Sequence, residues 1–95
     1  MYVRMVIGEA VSEEQLREFG SIYKEAVKPE VLKESGLVRS EMMFEEGGRM
    51  AIVMTTWKTR EDCLRYHTSR AYRQFVVKTQ HLLIGEFVVK LFQME

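Results

Sequence analysis

Ninety-five residues leave room for one domain, and a chain of this size buries roughly 60 per cent of its unfolded surface, so one core alone leaves it marginal. Fourteen Lys and Arg balance fourteen Asp and Glu, which leaves no net field to gather nucleic acid or an anionic bilayer, and neither is an expected partner. Cys63 is the only cysteine, MYVRMVIGEA lacks the marks of a signal peptide, and no apolar run reaches the roughly 18 residues of a membrane span, so a soluble cytoplasmic domain without disulfides is expected.

YVRMVIG, residues 2 to 8, is mostly β-branched, aromatic or apolar and predicts a strand. Ser12 with Gln15 has the spacing of a capping box, and Leu16, Phe19, Tyr23, Ala26 and Val27 recur at helical intervals to give one apolar stripe. Pro29 ends that helix or opens a short further turn through Val31 and Leu32, with Gly36 suited to the position just past its end. LVRSEMMFEE, residues 37 to 46, reads as a strand, Gly47-Gly48 as a tight hairpin with positive backbone angles, and RMAIVMTTW, residues 49 to 57, as the antiparallel partner. Thr59 and Asp62 start a second helix whose Cys63, Leu64 and His67 share a face. Ser69 recaps the chain, and Tyr72, Phe75, Val76 and Thr79 continue the stripe to about Leu83. Gly85 then precedes a last strand, EFVVKLFQM.

Strand, helix, hairpin, helix, strand, joined by right-handed crossovers, predicts an α+β, ferredoxin-like βαββαβ fold: an antiparallel sheet with both helices on one face. In the third strand Met50, Ile52 and Met54 point one way and Ala51, Val53 and Trp57 the other, without a charge between Arg49 and Lys58. A sheet with one wet face alternates apolar and polar, so this one needs a second cover, and a homodimer pairing sheet to sheet supplies it.

Conventional catalytic sets are scarce. There is no Asn, Asp62 is the only Asp and is explained by capping, and His67 and His81 are too far apart along one helical segment to share a metal. No glycine-rich loop precedes a helix to cradle a phosphate, so no cofactor and no metal are expected. His67, near the end of the third strand and beside aromatics, could act near neutral pH; a core histidine bonded to a backbone carbonyl is the competing reading. Seven Met and ten aromatic residues suit an adaptable apolar pocket as well as a core. Charge is uneven along the chain, acidic from residue 9 to 46 and basic from 58 to 81. Two solvated helix faces side by side explain this, or an anion site near Arg65, Arg70 and Arg73.

TTWKTREDCLRYHTSRAYRQF, with Trp57 closing a strand and His67, Ser69, Tyr72 and Phe75 following, resembles the helix signature of the antibiotic biosynthesis monooxygenase family of dimeric α/β barrels. HLLIGEFVVKLFQ is similar to that family's closing segment, and VKPEVLKESGLVRSEMMF to its exit from the first helix. The resemblance implies a homodimer with a pocket between helices and sheet in each subunit, where a quinol-like or phenolic aromatic substrate meets O2 without flavin or metal. It makes His67 the base or donor, and Trp57, Tyr23, Phe44 and Tyr72 candidate pocket walls. Members often use an Asn near the first or third strand, which this chain lacks. The related haem degraders place an axial His where Val76 stands and a Trp where Tyr66 stands, so haem is disfavoured. A non-catalytic, small-ligand-binding or stress-associated dimer stays open, as does a lactone isomerase or an aldehyde-phosphate processing enzyme on the same barrel.

Overall fold

The computed structural model describes residues 1–95. The chain runs β1 (Tyr2–Ala10), α1 (Glu13–Ile22), a π-helical turn (Tyr23–Val27), α2 (Lys28–Val31), β2 (Leu37–Phe44), β3 (Met50–Trp57), α3 (Arg60–His67), α4 (Arg70–Thr79), a 3₁₀ turn (Gln80–Leu82) and β4 (Leu83–Gln93). All three strand pairings are antiparallel and the sheet order is β2-β3-β1-β4, the ferredoxin-like arrangement. No helix is long and apolar enough to cross a membrane.

The capping residues act where the sequence puts them. The hydroxyls of Ser12, Thr59 and Ser69 accept hydrogen bonds from the backbone N–H of Gln15, Asp62 and Tyr72. Each satisfies an orphan donor of a first helical turn and fixes where that helix begins. Pro29 does not stop the first helical stretch. It falls in the first turn of α2, where a missing N–H costs nothing, and the π turn hands α1 directly to α2.

Three boundaries differ from expectation. The hairpin is wider than a two-residue turn, since Glu45 N–H donates to the Met50 carbonyl at 2.8 Å and only Gly47 takes a positive φ, of 73°. Gly85 lies inside β4 rather than before it, with a φ of 70°. There the register slips between Ile7↔Val88 and Glu9↔Ile84, and a left-handed residue lets β4 bulge. The α4 stripe ends at Thr79, and Leu83 already belongs to the sheet.

The core lies between the helices and one sheet face. Val6 and Ala10 of β1 and Ala51, Val53 and Trp57 of β3 meet Leu16, Phe19, Tyr23, Phe75 and Leu82 there. The opposite sheet face carries no helix. Met5 and Ile7 pair with Met54 and Ile52, while Val88 and Phe92 of β4 stand half-exposed beside them. Charges sit only at its margins, as Arg39 paired with Glu41 at 2.9 Å and Arg49 paired with Glu9 at 3.0 Å, together with Lys90.

Candidate functional site

In β1 the alternation of an extended chain sends Arg4 to the same side as Val6 and Ala10, toward the helices. Arg4 is 2 % exposed. Its guanidinium carbon lies 4.1 Å from the ring centroid of Tyr72 and 5.3 Å from that of Tyr66. Nη2 donates to His67 Nδ1 at 2.8 Å, Nη1 has no partner, and none of the four ion pairs in the chain includes Arg4. Taking a cation out of water without a counter-charge costs several kcal/mol. Two desolvated cation–π contacts, worth about 2 kcal/mol each, and the hydrogen bond to His67 offset much of that cost.

His67 closes α3 and stands exposed at the rim of this site. A guanidinium has donors only, so Nδ1 accepts and the neutral ring carries its proton on Nε2. Its plane stacks on Tyr72, with centroids 5.5 Å apart and 28° between the rings. Arg4, Cys63, Leu64, His67, Val89 and Leu91 line a half-open pocket of about 180 Å³. Cys63 and His67 come from successive turns of α3, Arg4 from the sheet floor, and Val89 and Leu91 from the edge strand β4. His67 is therefore bonded to a charged side chain, and its partner is not a backbone carbonyl.

The expected walls divide between two places. Tyr72 lies under the Arg4 guanidinium and against His67, and it lines a neighbouring cavity of about 590 Å³ that His81 and Phe87 also border. Trp57 is wholly buried, donates from Nε1 to Thr55 Oγ1 at 2.9 Å, and reaches the site only through Tyr66, whose ring centroid is 5.1 Å away. Tyr23 and Phe44 border a separate, shallow and open depression between α1 and β2, and the buried Tyr23 Oη lies 2.6 Å from Ser40 Oγ. Of the five residues, only His67 lines the smaller cavity.

Burial pushes the Tyr66 phenol far up, and the Arg4 charge offsets only part of this. Burial likewise raises the Cys63 thiol, against the pull of Arg4 and Arg60. It raises Tyr23 too, although the hydrogen bond to Ser40 works the other way. These groups stay neutral near pH 7, so the cavity offers an unreactive thiol, apolar walls, one fixed positive charge and one imidazole donor. That set can hold and polarise an oxygen-bearing aromatic compound. No three His, Cys, Asp or Glu side chains converge.

Arg4, Val89 and Leu91 were not singled out by sequence reasoning. A signal for Arg4 was present: it is the one charge in YVRMVIG and has the parity of the buried Val6. Arg65, Arg70 and Arg73 form no common anion site. Arg65 pairs with Asp62 at 2.9 Å and Arg73 donates to the Thr68 carbonyl at 3.0 Å, while Arg70 borders a groove that Glu25, Glu30 and Glu34 also line.

Residues 2–78 match the family model described as antibiotic biosynthesis monooxygenase. The chain belongs to this family. No curated protein matches it in sequence. Among solved structures it is similar to a monooxygenase of Streptomyces coelicolor in complex with the ligand nanaomycin D, with a TM-score of 0.87 and 9% identity over 99% of this chain and 87% of the other. A conserved protein of Methanosarcina mazei Go1 gives a TM-score of 0.82 at 20% identity, covering 100% of this chain and 94% of that one. A Mycobacterium tuberculosis protein gives 0.79 at 12% identity, covering 100% and 96%. At these identities the likeness establishes the antibiotic biosynthesis monooxygenase fold and leaves chemistry to the residues.

Proposed function

We propose that this family member is a cofactor-free monooxygenase of a small quinol-like or phenolic aromatic substrate, with His67 at the reacting centre. The observation that carries the reading is the cavity of about 180 Å³ with His67 at its rim, Nδ1 held by Arg4 and Nε2–H left as the ring's donor. Trp57 and Tyr72 serve as support behind that cavity; Tyr23 and Phe44 serve a substrate only if it reaches the cavity beside β2.

The chemistry asks the protein for little. The substrate gives up a proton to water, and its anion, stabilised by the nearby guanidinium, transfers electrons to O2. A carbon–oxygen bond forms, and the peroxide anion takes a hydrogen bond from His67 Nε2–H and then a proton from water. Where the reacting carbon still bears a hydrogen, that hydrogen leaves as a proton, the O–O bond breaks, and a carbonyl and water result. One oxygen atom enters the product and the other leaves as water. A preorganised donor at the developing oxyanion is worth about a hundredfold or more in rate.

Oxygen uptake with a panel of hydroquinones and anthrones tests this. His67→Ala should lower the rate about a hundredfold, with His67→Gln intermediate because its amide still donates. Equal rates in all three proteins, or no uptake by the wild type across the panel, would sink it. The reading includes a second copy of the chain over the open sheet face, supported by an apolar centre at Met5, Ile7, Ile52 and Met54 and a rim carrying both signs of charge.

A further inference from the structure

We propose that Arg4 is a positioning residue that latches His67 over the pocket only while the imidazole is neutral, so that protonation of the ring releases it. The inference gives the proposed reacting centre an acid-sensitive switch, and its consequence for chemistry rests on reading His67 as the reacting residue. Two unlike halves make the latch. Arg4 is the fixed half: β1 carries it between two hydrogen-bonded neighbour strands, it is 2 % exposed, and its guanidinium carbon lies 4.1 Å and 5.3 Å from the ring centroids of Tyr72 and Tyr66. His67 is the movable half, an exposed side chain on the last residue of α3, held by the 2.8 Å bond from Arg4 Nη2 to Nδ1 and by stacking on Tyr72.

The bond works in one protonation state. A guanidinium has donors only and does not deprotonate in proteins, so Nδ1 must keep its lone pair for the contact to exist. The neutral ring carries its proton on Nε2, and a second proton has only Nδ1 to go to. It turns the acceptor into a donor and sets a positive charge against a desolvated one, where screening is weak. No anion is at hand to offset this. The β4 wall of the pocket is Val89 and Leu91, and α3 itself presents Cys63 and Tyr66. From α4 come Tyr72 and a further cation, Arg73, bonded to the carbonyl of Thr68 beside His67. Burial raises both the Cys63 thiol and the Tyr66 phenol, so neither supplies a negative charge near neutral pH. Arg4 is pinned beneath the helices and His67 has solvent beside it, so the imidazole is the half that leaves. The Nε2–H donor then loses its fixed direction.

Nitrogen NMR on the isotopically labelled wild-type protein tests this at about pH 8 and about pH 5, which bracket the range in which a histidine ordinarily changes charge. At the higher pH a scalar coupling across the hydrogen bond should join Arg4 Nη2 to His67 Nδ1. At the lower pH that coupling, and the ring-current shift that Tyr72 imposes on the imidazole, should both be lost. His67→Asn puts an acceptor oxygen where Nδ1 stood and cannot titrate, so its Arg4 Nη signals should be the same at both pH values. Absence of the coupling at the higher pH, its survival at the lower, or an equal pH response in His67→Asn overturns the proposal. With substrate, Arg4→Lys, if circular dichroism shows it folded, should lower kcat about tenfold or more with a smaller change in KM, as expected when a group that orients a histidine is altered. An unchanged kcat overturns the positioning role, and if the variant does not fold the NMR comparison decides alone. A latch seen in a protein that consumes no oxygen would defeat only the oxygenase reading, and oxygen uptake without the latch would defeat this inference alone.

Discussion

The buried phenol of Tyr66 ties the site to stability. Its folded pKa is raised, chiefly by desolvation, while an unfolded tyrosine ionises near pH 10. Its contribution is therefore present in full below about pH 10 and is lost as the pH climbs from there toward the folded value. Chemical denaturation at about pH 9 and about pH 11 should show a marked loss of stability in the wild type and a smaller one in Tyr66→Phe. Equal losses would show that the phenol titrates alike in both states. At this scale the sequence was only partly legible. His67 stood out because few other residues can do chemistry near neutral pH, and it does lie at a cavity rim. Arg4 is harder to read, because a lone charge in an edge or surface strand is ordinary; its shared parity with Val6 acquires meaning once the register between β1, β3 and β4 places that side under the helices.

Elements were more legible than their irregularities. Side-chain caps depend on residue type and spacing alone, so Ser12, Thr59 and Ser69 announced three helix starts correctly. The π turn at Tyr23–Val27 and the β4 bulge at Gly85 depend on tertiary fit and left no periodic trace. Two glycines, Gly8 beside the bulge and Gly20 in α1, tolerate a side chain to different degrees. A methyl group on Gly8 would come within 2.9 Å of Phe87 Cε1 and 3.2 Å of Leu83 Cδ2, and the Phe87 ring is wedged against Phe75 with centroids 5.2 Å apart. Gly8→Ala should therefore cost about 1–3 kcal/mol in urea unfolding. Gly20→Ala would approach Phe44 Cζ at 2.7 Å, but that ring is half-exposed at the sheet edge and can swing away, so the loss should be small. Comparable losses from both would show that the Phe87 contact is not the constraint.

For the whole molecule, the fold class could be read because strand, helix and hairpin order leaves few chiral solutions, and the order β2-β3-β1-β4 is one of them. The apolar second face was visible in MAIVMTTW, whose two parities are both largely apolar. Which cavity matters was not, since Tyr23, Phe44, Trp57 and Tyr72 are equally aromatic and only packing sorts them into separate regions. Ile52→Glu would put a carboxylate at the centre of the open face. Light scattering at micromolar concentration should then change from a dimer mass to a monomer mass, with the helix-side core intact. A wild-type protein that is already monomeric would remove the second copy.

The walls of the small cavity differ in stiffness. Arg4 is carried by β1, which is hydrogen-bonded along both sides, whereas Val89 and Leu91 belong to β4, which has a neighbour on one side only and a bulge near its start. A fixed charge facing a compliant hydrocarbon wall makes a selective filter of an uneven kind. On the proposed reading of this pocket as the ligand site, it would sort compounds strictly by ionisation and loosely by ring substituents.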